Sequence, residues 1–481
     1  MNAVAPDPRR WKALILICTA IFVVVLDIAI VNVALPTIQD DLNFAERNLQ
    51  WVITAYGLTY GGFLLLGGRA ADLIGRRIVF MTGLAIFGAA SLVCGLSTSS
   101  GMLIAARGVQ GFGAAIVTPA ALSIISVTFT EGSERNKALG AWGAVGGSGA
   151  AAGVLMGGVL TKYLGWEWIF WVNVPVAVIV LILTPIYVRE SRREDVVHEY
   201  DLPGAISVTS GLIVLVYAIS EAPQVGWGTF RTIGLLVASG LLLAFFLWWE
   251  ARAKEPLMPL SIFRIRLVAA ANLGGLLLAG GLYGTFLMLT LYMQQVLHMS
   301  VLQTGVAFLA TAGTAVLMAG PAQALTTRLG AKPVLIVGMS LLVAGCLWYT
   351  QIDANGSYQM DLLPGFFAVG IGIPFSFIPI TIAALAGVSH ERAGLASGLI
   401  NTSQQVGGAI GTAVLSTVFI THSRTLLEER TPPDQALTQG FVWGFWVAAG
   451  IWAAGLLAAI FLVRREEVAQ PGPVEIPASQ T

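Results

Sequence analysis

The sequence predicts an all-α protein that crosses a lipid bilayer many times. Of its 481 residues, 56% are hydrophobic and only 11% are charged, whereas soluble domains carry about 25% charged residues. The apolar residues form long segments almost free of charge, and about 20 such residues are enough to span the hydrocarbon core. Because a helix satisfies its own backbone hydrogen bonds, it is the expected spanning element.

Fourteen segments of spanning length divide the chain into six, two and six. We therefore expect a six-helix bundle in 1–190, two inserted helices in 191–266 and a second six-helix bundle in 267–465. The polar, proline-containing tail, 466–481, is expected to be disordered. The two six-span sets show a weak repeat, as in many transporters. The segments lie at 13–35, 50–68, 78–97, 101–124, 137–160, 167–188, 202–221, 231–250, 268–292, 303–325, 333–351, 361–386, 394–420 and 439–463.

The distribution of basic residues predicts the orientation of the chain. If the N-terminus is cytoplasmic and the connections alternate, most of the 26 Lys and Arg residues fall in cytoplasmic connections. This bias agrees with the positive-inside rule. We expect a multi-pass protein of the cell membrane (inner or plasma membrane), with both termini in the cytoplasm.

Asp27 and Arg107 are the clear charges at membrane depth, in the first and fourth predicted spans. Ionisable residues at such depth are costly and usually functional. Both are expected in the outer half of the bilayer, facing each other or one aqueous cavity. Burial favours the neutral form of an aspartate and a nearby arginine favours the charged form, so the pair is predicted to couple transport to protons. The alternative is a static ion pair that holds two helices together.

The segment 68–77 predicts a compact charged turn between the second and third spans. Gly68 and Gly75 permit a tight turn and close approach to a neighbouring helix. Asp72 can cap a helix or pair with an arginine. Arg76 and Arg77 hold the turn on the cytoplasmic side.

The fifth span is rich in glycine, with Gly149, Gly153, Gly157 and Gly158 among its residues. Small residues let helices approach closely, and glycine lets a helix bend. We expect either tight packing alone or a hinge or seal between the two halves.

Seven further residues are predicted to line a substrate cavity, with ordinary helix packing as the alternative for each. Aromatic rings attract apolar cations through the cation–π interaction. For Glu221, simple solvation at the membrane interface is a further alternative. The candidates are Asn32, Tyr56, Gln110, Glu221, Tyr283, Phe286 and Gln294.

Composition and motifs argue against several classes of function. The net charge of zero gives no general attraction to nucleic acid. Cys18, Cys94 and Cys346 lie in separate apolar segments and the four histidines are not at ligand spacing, so no disulfide framework or metal site is predicted. No P-loop or nucleophile constellation is visible. We expect no enzyme and no cofactor, but a monomer in the lipid bilayer that binds a small-molecule substrate and protons.

These motifs resemble the major facilitator superfamily, and most closely its fourteen-span drug:proton antiporter subfamily. The turn Gly68-x-x-x-Asp72-x-x-Gly75-Arg76-Arg77 is similar to the family signature between spans two and three. The runs 26–36, 107–113 and 149–158 resemble the subfamily motifs of spans one, four and five, and 166–175 follows as in relatives. The resemblance covers nearly the whole chain.

Three positions depart from the family pattern. Leu73 replaces a usual basic residue, Val154 stands where the antiporter motif has proline, and Glu167 stands where relatives have arginine. Phe366 occupies roughly the place of Arg107 in the second half, so the coupling chemistry is expected in the first half.

The resemblance implies two bundles that rock about a midplane cavity. Asp72, Arg76 and Arg77 would stabilise one facing state, and Arg107 would take part in proton coupling. The expected function is proton-coupled efflux of hydrophobic, often cationic, drugs or related small molecules. The alternatives are a proton-coupled uptake symporter, a dedicated exporter of one antibiotic or metabolite, and a non-transporting scaffold or receptor.

Overall fold

The described part of the chain forms fourteen long helices in a computed structural model. The structure describes residues 8–42, 44, 49, 51–129, 132–191, 201–253, 256–386, 388 and 393–462, and it contains no strand within them. The helices are α1 (Arg10–Asp41), α2 (Trp51–Ile74), α3 (Arg76–Gly95), α4 (Ser100–Thr128), α5 (Ser133–Tyr163), α6 (Asn173–Tyr187), α7 (Leu202–Val225), α8 (Phe230–Glu250), α9 (Arg266–Gln295), α10 (Val301–Leu329), α11 (Ala331–Tyr349), α12 (Leu363–Leu385), α13 (Ala393–Glu428) and α14 (Pro433–Leu462).

The helices confirm the all-α membrane fold class. Thirteen helices of the described chain are long and apolar enough to cross a membrane, counting α6 together with the short helix Trp168–Trp171 before it. The remaining long helix, α5, is less apolar because much of it is glycine and alanine. The predicted disordered tail, 466–481, lies outside the described residues.

Several helices extend beyond their predicted apolar segments. The sequence predicts a span at 394–420, whereas α13 runs from Ala393 to Glu428. Hydropathy marks only the part of a helix that suits lipid, whereas the helix continues until a residue stops it. Helix α13 ends shortly before Arg430, whose φ of 63° is not helical, and Pro432 and Pro433 follow.

The contacts between helices form a first group, α1 to α6, and a second group, α9 to α14, which meet along two seams. α1 packs on α5, and α4 packs on α2 and α3, whereas α9 packs on α13 and α14, and α11 on α12. The seams between the groups are α2 against α13 and α5 against α10. The additional helix α7 contacts both α2 and α13, and α8 packs on α7.

Candidate functional site

A close contact between α2 and α4 builds one wall of the buried site. A Cβ at Gly111 of α4 would collide with the carbonyl oxygen of Tyr56 on α2, so this approach requires glycine. Thr59 Oγ1 donates to the carbonyl of Gly108 at 2.8 Å across the same contact. In this arrangement the guanidinium carbon of Arg107 lies 4.3 Å from the centre of the Tyr56 ring, which is within range for a cation–π interaction.

Asp27 and Arg107 form an ion pair in the interior of the first helix group. Arg107 Nη1 lies 2.6 Å from Asp27 Oδ2, and the two side chains are 1% and 0% exposed. Arg107 also donates from Nε to the carbonyl of Val52 at 3.0 Å. An unpaired charge at this depth would be strongly destabilising, and removing one member of such a pair leaves that cost in full.

Two amides complete the coordination of the Asp27 carboxylate. Gln110 Nε2 and Asn173 Nδ2 each donate to Asp27 Oδ1 at 2.8 Å. The other end of the Gln110 amide, Oε1, accepts from Arg107 Nη1 at 2.7 Å. With both of its ends engaged and no exposed surface, Gln110 lies in this buried network rather than on an open cavity wall.

Ser91 connects the two amides from the side of α3. Its Oγ accepts from Gln110 Nε2 at 3.0 Å and from Asn173 Nδ2 at 2.9 Å, and it donates to the carbonyl of Phe170 at 2.9 Å. Asp27, Arg107, Gln110, Asn173 and Ser91 therefore form one continuous buried network, which we call the carboxylate network.

The hydrogen-bond ladder of the sixth span is interrupted just before Asn173. One residue, Val172, separates the short helix Trp168–Trp171 from α6, which begins at Asn173, and its backbone stays helical with φ −59° and ψ −26°. Pro175 has no N–H to bond the carbonyl four residues earlier. Asn173 Nδ2 reaches Asp27 from the first turn of α6.

The prediction of a turn over 68–77 is wrong in extent, because Gly68–Ile74 complete α2, Arg76 begins α3 and only Gly75 is not helical. At one end of the molecule this helix junction, which we call the 68–77 turn, joins the two helix groups. Asp72 Oδ1 and Oδ2 accept from the backbone N–H groups of Gly394 and Leu395 at 3.0 and 2.9 Å. The carboxylate thereby satisfies free donors at the N-terminus of α13 and complements its dipole. Arg76 Nη2 pairs with Asp72 Oδ1 at 2.9 Å and Nε donates to Ser123 at 2.7 Å.

The rest of the turn is fastened to the segment after α6. Glu190 accepts from the backbone N–H groups of Arg77 and Ile78 at 3.0 and 3.1 Å, which caps α3. Arg77 Nε lies 3.7 Å from the same carboxylate. Gly75 has a φ of 127°, a conformation that side-chain-bearing residues rarely adopt.

Glycines also bring backbones together at the seam between α2 and α13 and within the first group. A Cβ at Gly68 would collide with the carbonyl oxygen of Gly394, so α2 and α13 touch through their backbones. Gly149 and Gly153 face α1, where a Cβ at Gly153 would lie 2.7 Å from the carbonyl of Leu26. Gly157 is buried, and a Cβ at Gly158 would lie 3.4 Å from Leu302 of α10.

The remaining cavity candidates do not form one cluster. Tyr283 and Phe286 of α9 are 45% and 38% exposed, and the Tyr283 hydroxyl lies 3.4 Å from Gln405 Oε1. Asn32 is exposed and donates to its own helix, and Gln294 is half-buried. Glu221 lies at the far end of α7, 3.5 Å from Arg231.

The counterpart of Arg107 in the second group is aromatic. Phe366 is fully buried, and its ring lies 5.3 Å from that of Phe308 and 6.0 Å from that of Tyr349. This apolar cluster holds no charge pair, so the buried ion pair is a feature of the first group within the described chain.

Sequence reasoning did not single out Asn173, Ser91 or Glu190. An asparagine beside a proline and a serine in an apolar segment have no distinctive spacing. Glu190 is one acid in a charged connection. Pro175 is a local signal for the interrupted hydrogen-bond ladder beside Asn173, but it does not indicate the contact with Asp27.

Comparisons with known proteins agree with this architecture. The chain is 41% identical over 455 residues to the puromycin resistance protein pur8 of Streptomyces alboniger, covering 94% of this chain and 90% of that protein. It is 39% identical over 411 residues to the cephamycin export protein CmcT of Amycolatopsis lactamdurans, covering 84% of each. The multidrug resistance protein Stp of Mycobacterium tuberculosis (strain H37Rv) is 35% identical over 431 residues, covering 89% of this chain and 80% of that protein.

A fold comparison and a family model identify the superfamily. The crystal structure of the human organic anion transporter MFSD10 is similar with a TM-score of 0.68 at 16% identity, covering 94% of this chain and 100% of that one, which shows the fold. The model of the Major Facilitator Superfamily matches residues 17–412. The chain therefore belongs to the Major Facilitator Superfamily and is a multi-span membrane transporter.

Proposed function

We propose that this protein exports hydrophobic, often cationic, small molecules from the cell in exchange for protons. The observation that carries the proposal is the fully buried Asp27–Arg107 pair, with Nη1 and Oδ2 2.6 Å apart. Ionisable residues at membrane depth mark ion and proton pathways. Relatives named for puromycin resistance, cephamycin export and multidrug resistance support the direction and the class of substrate.

The contacts suggest how the two facing states differ. With both termini in the cytoplasm, the 68–77 turn lies on the cytoplasmic side, where Asp72 joins α2 to α13. In this conformation the cytoplasmic ends of the two groups are together, as in the outward-facing stage of alternating access. Opening to the cytoplasm requires the Asp72 bonds to α13 to break and the Gly68–Gly394 contact to separate.

Proton exchange at Asp27 can drive this cycle. An ionised Asp27 keeps the three donors that now surround it, whereas a neutral Asp27 holds Arg107 more weakly because the charge attraction is lost. Entry of a proton from outside would therefore loosen the carboxylate network, and its release would restore it. The membrane potential contributes about 2.3 kcal/mol per elementary charge for each 100 mV.

Transport into inside-out membrane vesicles tests the direction of transport. The vesicles are energised to an acidic interior, and the uptake of puromycin and of a lipophilic cation is measured. Export from the cell predicts substrate accumulation that collapses with a protonophore. Substrate leaving the vesicles on energisation would instead establish a symporter, and unchanged flux for every tested compound relative to empty membranes would contradict drug export.

A further inference from the structure

We propose that Asn173 inverts its side-chain amide when Asp27 takes up a proton, and so supplies the acceptor for the new O–H group. This inference rests on the proposed proton coupling at Asp27. It assigns Asn173 a positioning role, since the residue acts through Asp27 and no contact with substrate is required.

The contacts of Asn173 fix the orientation of its amide while Asp27 is ionised. Nδ2 lies 2.8 Å from Asp27 Oδ1 and 2.9 Å from Ser91 Oγ. An ionised carboxylate can only accept hydrogen bonds, and the Ser91 hydroxyl already donates to Phe170. Both positions therefore require the NH₂ group. The opposite end, Asn173 Oδ1, is buried and accepts no hydrogen bond from any described residue.

A proton on Asp27 is best placed on Oδ1. Oδ2 accepts from the Arg107 guanidinium at 2.6 Å, and as a carbonyl oxygen it can keep that contact when the acid is neutral. Oδ1 instead accepts from two neutral amides, those of Gln110 and Asn173. A proton on Oδ1 converts an acceptor into a donor, so one of these two amides must offer its carbonyl oxygen.

Only one of the two amides is free to do so. Gln110 Oε1 is held by Arg107 Nη1 at 2.7 Å and lies 3.6 Å from Cys94 Sγ, and inversion would point its NH₂ group at the guanidinium. Asn173 Oδ1 has no such bond to lose. After inversion, Asn173 Oδ1 accepts from the Asp27 acid group, and the Ser91 hydroxyl can rotate to donate to the same oxygen.

The other ionisable groups at the site do not take the place of Asn173 as the acceptor for the Asp27 acid group. Arg107 from α4 remains a cation and a donor in both states. Tyr56 from α2 lies under the guanidinium, and Cys94 from α3 faces Gln110. α5 presents glycines, Gly149 and Gly153, to this part of α1. The proton comes from water and forms a single O–H bond, so no other covalent bond changes.

Infrared difference spectroscopy of protein in lipid bilayers can observe both partners. Spectra at acidic and neutral pH are compared for protein with and without ¹³C-labelled asparagine. We expect a protonated carboxyl band that is lost in Asp27→Asn, together with an isotope-sensitive asparagine carbonyl band with the same pH midpoint. That amide band is expected to vanish in Asp27→Asn, in Asn173→Leu and in Asn173→Thr. Threonine can donate and accept, so Asn173→Thr retains the carboxyl band and remains informative if the leucine variant does not fold.

Asn272→Leu provides the matched control. Asn272 is also a buried asparagine, but it lies in α9, where it donates to Val268 and accepts from Ser403. Its replacement should leave both bands in place. A carboxyl band that depends on Asp27 without an amide band that depends on Asn173 would overturn this inference and leave the proposed coupling intact. Loss of neither band in Asp27→Asn would overturn the proposed coupling as well.

Discussion

At the scale of the residue, Arg107 is placed by geometry as much as by charge. Its Nε and Nη1 atoms reach the Val52 carbonyl, the Gln110 amide and the Asp27 carboxylate. A guanidinium fixes these donors in one plane, whereas a lysine offers a single nitrogen on a flexible stem. A lysine at this position would therefore keep the positive charge but not all of these hydrogen bonds.

Arg107→Lys is expected to reduce substrate-driven proton movement in proteoliposomes by at least about tenfold. The physical reason is the loss of one or more hydrogen bonds to charged groups, each worth about 1.5–3 kcal/mol. Arg424→Lys is the matched control. Arg424 is 80% exposed, and its ion pair with Glu428, at 3.9 Å, is long and lies on the surface. Wild-type proton movement in Arg107→Lys would show that the guanidinium geometry has no role in coupling.

At the scale of the element, sequence indicated where helices lie but not which of their ends meet. Uncharged runs of about 20 residues identify spans because lipid excludes charge. The bond from Gly394 to Asp72 joins residues 322 positions apart, and no local periodicity encodes such a partner. The same reason hid Asn173, whose contact with Asp27 joins residues 146 positions apart. Asp27 and Arg107 were visible because a charge in an apolar segment stands out, and their similar depth led to the prediction that they face each other or one aqueous cavity.

The seam between α2 and α13 depends on the absence of a side chain at Gly68. Gly68→Val is expected to force the two helices apart, because even a Cβ would collide with the Gly394 carbonyl. The distance between spin labels on the ends of α2 and α13 near the 68–77 turn should lengthen. Gly57→Val, on the same helix but with no atom within 4 Å of its Cβ position, should leave that distance unchanged. If the distances were unchanged in Gly68→Val, the contact between α2 and α13 would not be what holds the two groups together at this end.

Across the whole molecule, the two helix groups are joined at both seams and by α7. Asn136 of α5 donates to Thr327 of α10 at 3.0 Å, at the end that carries the 68–77 turn. On the other seam, α7 contacts both α2 and α13, and Trp227, which follows α7, donates to Thr417 of α13 at 2.7 Å. α7 thus touches both groups, which its position between the halves of the sequence did not by itself reveal.

Cysteines at positions 136 and 327 are expected to lock the molecule in the conformation described here. The 3.0 Å contact between Asn136 Nδ2 and Thr327 Oγ1 places the two positions within reach of a short bis-methanethiosulfonate cross-linker. Cross-linking should abolish substrate flux, and a reductant should restore it. The two single-cysteine variants, Asn136→Cys and Thr327→Cys, serve as controls and should keep their flux in the presence of the cross-linker. Full flux in the cross-linked double variant would contradict alternating access through this seam.

The most direct test of the account is to count protons and substrate together in proteoliposomes with wild-type protein and Asp27→Asn. We predict that a lipophilic cation moving across the wild-type protein drives protons in the opposite direction, and that Asp27→Asn abolishes the proton movement. Asp40→Asn, an exposed carboxylate on the same helix, should behave like the wild type. Proton exchange that persists in Asp27→Asn would contradict the central claim that the buried carboxylate of α1 carries the coupled proton.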